Sequence, residues 1–344
     1  MPRITIMDIA REAGVSKTAV SLALNDKPGV SEGTRQRVRE IAGRLEWRPH
    51  YAARALSSSS TGAFGLALAR SAETLGAETF FMSLFAGIER RLAELDRALL
   101  LQLVDDVEHE TALLGRWAGE QRVDGVILLD LRVDDPRIDA LPRLGVPLAA
   151  SAPEPLGRGI STLVTDERGR MRLLVEHLLE RGHRRLTFLT GPGEFLHVAH
   201  RIMSFTTCVR EADGLARIRE TDYSVGAAEA VAREIAALPR AQRPTAVVVD
   251  NDLLAVRLMV ALSRVGLDVP GDLAVAAMED SLLCTLTDPP VTALGRDLSR
   301  HGAQLVDLLE RGIGGAPEDS AADPSTIRER ASTALTSEET TTGR

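Results

Sequence analysis

The pattern of apolar and polar positions along this 344-residue chain changes character once, near residue 60. Before that point apolar side chains recur at helical spacing. Ile6, Ile9, Ala10 and Ala13 make one stripe, and Gly14 then stands where a helix end calls for a positive φ. Thr5-Ile6-Met7-Asp8 has the Thr-x-x-acidic spacing of a helix start, with the hydroxyl placed to accept a backbone N–H. Ser16 is the cap expected for a second helix running to about Asn25. Its Ala19, Val20, Ala23 and Leu24 face the first helix, and Lys17, Thr18 and Ser21 lie opposite. Asn25-Asp26-Lys27-Pro28-Gly29 reads as a turn. Ser31 then caps a third helix whose buried stripe is Val38, Ile41, Ala42 and Leu45. Two short helices joined by a tight glycine turn and buttressed by a third form a helix-turn-helix unit.

From Phe64 onward short apolar runs alternate with amphipathic stretches. Strands are expected at Phe64–Ala69, Leu99–Leu103, Val123–Asp130, Val146–Ala150, Leu186–Thr190, Ala246–Asp250, Leu273–Ala277 and Val291–Leu294. Between them lie helical stretches such as Phe80–Ala98, Arg168–Glu180, Val225–Leu238 and Asn251–Val265. This alternation predicts an α/β class with right-handed βαβ units and parallel sheets covered on both faces. Ligands of such sheets bind beyond the carboxyl ends of the strands.

Composition adds a division of charge. The chain carries 41 Lys+Arg against 49 Asp+Glu, a net charge of −8. Residues 1–60 hold 10 basic and 6 acidic side chains, so the acidic excess lies wholly in the remainder. A basic module on an acidic body is the footprint of a nucleic-acid binder. Apolar residues make up 44% of the chain but aromatics only 3%, so the core must be built from Leu, Val, Ile and Ala. The chain has no run of about 18 apolar residues that could span a bilayer. Arg3, Asp8, Arg11 and Glu12 break any secretory apolar segment, which sets the expected location in the cytoplasm, with no membrane partner. Cys208 and Cys284 are too few for a disulfide framework or a zinc site and read as buried small hydrophobes. His197 and His200 stand three apart without an evident third ligand, so no metal and no cofactor are expected. The chain has no H-E-x-x-H, Walker loop, G-x-S-x-G or G-x-G-x-x-G, and an enzyme is not the expected reading.

The first fifty or so residues then resemble a known family. Asp8-Ile9-Ala10-x-x-Ala13-Gly14-Val15-Ser16, Val20-Ser21-x-x-Leu24-Asn25, Gly29-Val30-Ser31-x-x-Thr34-Arg35 and Arg48-Pro49 together are similar to the headpiece of the LacI/GalR bacterial transcription regulators. The resemblance continues through Val175-Glu176-His177-Leu178, Gly182-His183-Arg184-Arg185, Asn251-Asp252-Leu253-Leu254-Ala255, Val269-Pro270-Gly271-Asp272 and the closing Arg330-Ala331-Ser332-Thr333. It implies a DNA-binding regulator, expected to be a repressor. The implied organisation is a headpiece over 1–48, a hinge helix and linker over 49–62, a core of two Rossmann-like subdomains with three crossovers over 63–335, and a polar tail over 336–344. That core is of the type I periplasmic-binding-protein-like kind.

The resemblance also implies roles. Lys17 and Thr18 occupy positions that discriminate base pairs, while Thr5, Ser16, Ser21, Asn25, Thr34 and Arg35 resemble phosphate-contacting positions. Lys17 and Lys27 are the only lysines of the chain, which makes an ammonium in a base-reading slot conspicuous. Leu22 departs from the arginine common at its position and can offer only apolar contact, for instance to a thymine methyl. Tyr51, Ala53 and Leu56 fall in the hinge, where Leu56 would wedge into a minor-groove step and bend the double-stranded operator. Binding to a palindrome implies a homodimer, with helix Phe80–Ala98 on its face. Effector-binding positions map to Phe81, Arg201, Asn251 and Glu279, in a cleft expected to hold a carbohydrate, the alternatives being another small polar metabolite or no effector. Arg201 would offer forked donors, and Asn251 a donor and an acceptor. Glu279 stands where an Asp is usual, Ser151 likewise, and the segment 70–78 is longer than usual.

Overall fold

The computed structural model describes residues 4–47 and 60–335. The chain divides into two compact units, Met1–Thr61 and Gly62–Arg344. Tyr51, Ala53, Leu56, the rest of the hinge and the tail at 336–344 lie outside the described residues.

In the first unit three helices form: α1 (Ile6–Ala13), α2 (Lys17–Leu24) and α3 (Glu32–Arg44). Gly14 closes α1 in the left-handed region at φ 65°, with its N–H returning to the Ala10 carbonyl. Ser16 Oγ accepts the Ala19 N–H at 3.1 Å and Ser31 Oγ the Thr34 N–H at 3.3 Å, so both expected caps form. Thr5 acts differently. Its N–H and its hydroxyl both donate to Asp8 Oδ2, at 2.9 and 2.7 Å. The hydroxyl bond first of all holds the Asp8 carboxyl below its usual range. Ile9, Ala10, Ala13, Val20, Ala23, Val38, Ile41 and Ala42 fuse into one core, with Trp47 packed on its edge.

The second unit contains two six-stranded sheets. The first is ordered β11-β5-β4-β3-β1-β2, where β1 is Ala63–Leu68, β2 Ala98–Leu103, β3 Gly125–Leu128, β4 Leu148–Ala152, β5 Ile160–Val164 and β11 Asp319–Ala321. The second is ordered β12-β10-β9-β8-β6-β7, where β6 is Arg185–Thr190, β7 Leu215–Glu220, β8 Ala246–Val249, β9 Ala274–Ala277, β10 Thr292–Gly295 and β12 Thr326–Arg328. Every pairing is parallel except β10 with β12. Central strands such as β3 and β8 are buried along their whole length, as parallel strands covered on both faces must be.

The helices of this unit are α4 (Ala72–Ala77), α5 (Thr79–Glu94), α6 (Val107–Gly119), α7 (Arg137–Ala140), α8 (Glu167–Glu180), α9 (Leu196–Glu211), α10 (Val225–Ala237), α11 (Asp252–Arg264), α12 (Leu282–Thr285) and α13 (Leu298–Gly312). The chain passes between the sheets three times: from β5 into α8, from β10 into α13, and from β11 into β12. Helix α13 packs back on the first sheet, against α5. The two helices approach backbone to backbone. A Cβ on Gly87 would lie 1.8 Å from the Ser299 carbonyl oxygen, and one on Gly302 would lie 2.3 Å from that of Leu84.

The closing segment Arg330–Thr333 is an internal clamp. Ser332 Oγ donates to the Val275 carbonyl at 2.6 Å and accepts the Thr292 N–H at 2.8 Å. Thr333 Oγ1 meets His177 Nε2 at 2.9 Å, tying β9, β10 and α8 together. Cys208 and Cys284 are both buried. Among the described residues no helix is long and apolar enough to cross a membrane.

The sequence reading misses several elements. Strand β7 alternates charged and apolar residues because it is an edge strand with one wet face. The segment 70–78, expected as a long connection, folds into α4. The expected strand Val123–Asp130 shortens at its end, where Asp130 turns into the left-handed region at φ 49°.

Candidate functional site

In the first unit the leading end of α2 is bare. Lys17 and Thr18 are exposed, and neither side chain has a hydrogen-bond or ionic partner among the described residues. An ammonium and a hydroxyl at the N-terminus of a second helix are the groups that reach base edges. Ser16 keeps a hydroxyl proton to donate, since its oxygen only accepts at the cap. Thr34 Oγ1 meets Ser31 Oγ at 2.9 Å beside the start of α3. Asn25 spends its amide on the Ser21 carbonyl at 2.9 Å, closing the end of α2. Leu22 is half-buried and leans on the turn at Gly29, where an added Cβ would stand 3.1 Å from it.

Arg35 serves the turn after α2. Its Nη1 donates to Asp26 Oδ1 at 3.1 Å and to the Ala23 carbonyl at 3.4 Å, while Nη2 donates to the Lys27 carbonyl at 3.1 Å. With its side chain 12% exposed, it braces the recognition helix from behind.

In the second unit a cavity of about 100 Å³ lies between the two sheets. Its walls come from the carboxyl ends of strands, as parallel α/β sheets require: Leu129 and Asp130 after β3, Ser151 on β4, Asp250 after β8, Glu279 after β9 and Arg296 after β10. Helix starts supply the rest, with Phe80 and Phe81 on α5, Glu167 on α8, and Asn251 and Asp252 at the head of α11.

Arg201, on α9, is 5% exposed and is the hub of this cleft. Its Nε donates to Glu167 Oε2 at 2.5 Å, its Nη1 to Asp250 Oδ1 at 2.7 Å, and its Nη2 to Glu279 Oε1 at 3.4 Å. Arg170 joins Glu167 at 2.8 Å and Glu279 at 2.9 Å, and Arg296 holds Glu279 at 2.8 Å. Burial alone would raise these carboxyl groups; Arg170 and Arg201 overcome it and hold Glu167 well below the usual range. Asp250 is lowered in the same way by Arg201, and Glu279 by Arg170 and Arg296. The Tyr223 hydroxyl also donates to Asp250 Oδ2.

A second charged group lies across the cleft. Arg70 Nε donates to Asp130 Oδ2 at 2.8 Å, and its guanidinium sits 4.7 Å from the centre of the Phe195 ring. Glu78, the N-cap residue of α5, is 9% exposed. Its carboxyl is pushed up to about 7, chiefly by burial and further by Asp130, Asp252 and Asp250, against the pull of Arg70. Ser151 Oγ meets His301 Nε2 at 2.9 Å, and burial lowers His301 to about 3, so it is neutral.

The four residues assigned by resemblance all line this one cavity. Their availability differs. The Asn251 carbonyl oxygen accepts the Leu254 N–H at 2.8 Å as the cap of α11, which leaves chiefly its NH₂ for a ligand. Phe81 is 1% exposed and packed into the first subdomain's core, whereas Phe80 is half-buried and lies under Arg296. Arg70, Glu78, Asp130, Arg170, Tyr223 and Arg296 were not anticipated. The position of an acidic residue directly after an apolar run is the signal that could have found Asp130, and it marks Asp250 as well. His197 and His200 diverge: the first stacks on Phe195 with ring centres 5.8 Å apart, the second lies 3.8 Å from Glu154.

A helix-turn-helix headpiece with a free leading end, on a chain whose second unit is a cleft between two parallel sheets, defines a DNA-binding transcription regulator with a periplasmic-binding-protein-like core. The comparisons agree. Residues 5–50 match "Bacterial regulatory proteins, lacI family" and residues 175–333 match "Periplasmic binding protein-like domain". The chain is 30% identical over 315 residues to the HTH-type transcriptional regulator CelR of Thermobifida fusca, covering 89% of this chain and 91% of that one. It is 28% identical to catabolite control protein A of Priestia megaterium, covering 92% and 95%. The solved complex of transcriptional regulator CelR with cellobiose superposes with a TM-score of 0.71 at 27% identity, covering 96% of this chain and all of that one. The chain belongs to the LacI family of bacterial transcription regulators and is not an enzyme.

Proposed function

We propose that this regulator represses transcription in the cytoplasm by binding a pseudo-palindromic operator as a homodimer, and that a carbohydrate in the cleft controls it. The observation that carries the DNA half is the bare leading end of α2. Among the described residues Lys17 and Thr18 have no side-chain partner, and each good base contact discriminates by ~1–3 kcal/mol. One headpiece covers one half-site, so two copies related by a twofold axis read the palindrome.

The effector half rests on the polar lining of the cleft. Asn251 offers an NH₂, Ser151 a hydroxyl, and Asp252 and Asp130 offer carboxylate acceptors suited to sugar hydroxyls. CelR, the relative solved with cellobiose, supports the carbohydrate class. Arg201 and Glu279 act mainly by holding the cleft's shape, and Phe80 with Phe81 supplies the apolar wall. An effector that fits one cleft geometry better shifts the population of that geometry, and its effect on DNA affinity is reciprocal.

The test is a titration of selected palindromes by fluorescence anisotropy at several salt concentrations, repeated with cellobiose and related disaccharides. A specific complex that weakens steeply with salt, and whose affinity a disaccharide changes, is the expected result. Absence of any salt-sensitive specific complex overturns the DNA half. Affinity that no disaccharide alters overturns the effector half. Light scattering reads a dimer; a monomer or a tetramer contradicts the assembly.

A further inference from the structure

The charges of the cleft do not balance, and the imbalance has a location. Among the described residues Arg70, Arg170, Arg201 and Arg296 meet Asp130, Glu167, Asp250 and Glu279, each in an ion pair. Asp252 accepts the Thr79 hydroxyl and the Leu253 N–H. Glu78 is left over. Nine-tenths of it is buried, yet among the described residues no hydrogen bond or ion pair reaches its carboxylate.

Glu78 also stands on a boundary. Together with Tyr223 and Asn251 it lines both the inner cavity and an outer one of about 350 Å³. Facing it across the outer lobe are exposed Glu73 from α4 and Asp222 from the turn before α10. The one guanidinium there, Arg257, donates to the Tyr223 carbonyl at 2.9 Å. From the inner side Arg70, Asp130, Asp250 and Asp252 act on Glu78, and three of those four are acidic. A sugar hydroxyl could satisfy one carboxylate oxygen but would leave the surplus charge. An ammonium supplies three donors and offsets the charge of Glu78 itself.

We propose that the outer lobe around Glu78 is a subsite for an alkylammonium group, and that the effector is an aminated saccharide whose neutral part lies in the inner cavity. The inference rests on the carbohydrate reading above and narrows it. It gives a role to a carboxylate whose burial outweighs the attraction of Arg70 in the ligand-free protein.

The experiment uses the full chain and isothermal titration calorimetry with three probes: cellobiose, mono-aminated cellobioses carrying a primary amine at either end, and spermidine. Because Glu78 titrates near 7 in the free protein, a ligand that needs its carboxylate binds about tenfold tighter at about pH 8 than at about pH 6. One aminated disaccharide is expected to bind at least about tenfold tighter than cellobiose at the higher pH. Glu78→Gln removes that preference and its pH dependence, while its circular dichroism reports whether the fold is kept. Asp222→Asn, on the exposed rim, weakens the same preference by a smaller factor. Equal affinity for neutral and aminated sugars, or a preference that survives Glu78→Gln, overturns the proposal. If spermidine binds the wild type but not Glu78→Gln, and no saccharide binds, the ammonium lobe stands and the carbohydrate reading falls. If no probe binds, both fall.

Discussion

Replacing Arg201 with methionine keeps most of the side-chain volume and removes the charge that three buried carboxylates share. Glu167, Asp250 and Glu279 are 2–9% exposed at their side chains and lie within 2.5, 2.7 and 3.4 Å of the guanidinium. Breaking a buried ionic cluster by deleting one partner costs roughly 3–5 kcal/mol, because the survivors stay buried and unpaired. Arg170 and Arg296 still hold Glu167 and Glu279, so the loss falls hardest on Asp250, and the lower half of that range is expected. For a unit of this size it corresponds to a melting temperature about 6 °C lower near neutral pH.

The pH dependence follows from direction. The three carboxyls are held low in the folded wild type, so their stabilisation is complete above the unfolded carboxyl value and is lost as pH falls. In the variant Asp250 is raised instead, and its penalty grows as pH climbs past that value. The gap between the two proteins is therefore widest at about pH 7 and narrows toward about pH 4. Differential scanning fluorimetry across this range reads it directly. A gap below about 1 kcal/mol, or one that does not change with pH, would refute the view of Arg201 as the hub. The same result governs ligand tests, because lost effector binding in an alanine variant would report a collapsed cleft as readily as a missing contact.

Other substitutions separate roles that the geometry distinguishes. Lys17→Ala is expected to relax preference at one base pair by ~1–3 kcal/mol; a uniform loss across operators would make Lys17 a phosphate contact. Arg35→Gln frees the turn after α2 and should lower headpiece melting while leaving the order of preferred operators intact, checked by calorimetry and binding-site selection. Glu78→Gln should stabilise the ligand-free protein. A folded value near 7 against an ordinary 4.5 penalises the wild type by about 3 kcal/mol above pH 7, and by nothing below about pH 4.5. Denaturant titrations of the two proteins at both ends of that window measure it, and equal stability at high pH would contradict it.

Much of the fold is legible along the chain because parallel strands buried on both faces read as unbroken apolar runs. Ala246–Val249 and Ala63–Leu68 are of this kind, and the expected strands fall within a few residues of them. The headpiece is legible for another reason: its caps at Ser16 and Ser31 and its turn at Gly14 are local, and each is visible within four residues. What is not legible is long-range. Arg201 meets carboxylates 34, 49 and 78 residues away, and nothing in their spacing announces it. Arg35 looks like a phosphate ligand by position, but its carbonyl partners only come within reach once the turn has folded. Glu78 carries no motif at all, since its significance is the lack of a partner.

The glycines at 87 and 302 bear on how the cleft speaks to the rest of the molecule. With carbonyls of the opposite helix occupying the space where a methyl would project, α5 and α13 lie backbone against backbone at those two points. Both begin at the cleft, one beside Glu78 and Phe80, the other just after Arg296. A ligand that shifts either wall is therefore expected to move the two helices together rather than one alone. Any side chain larger than hydrogen at those two positions would force the helices apart and weaken that joint movement.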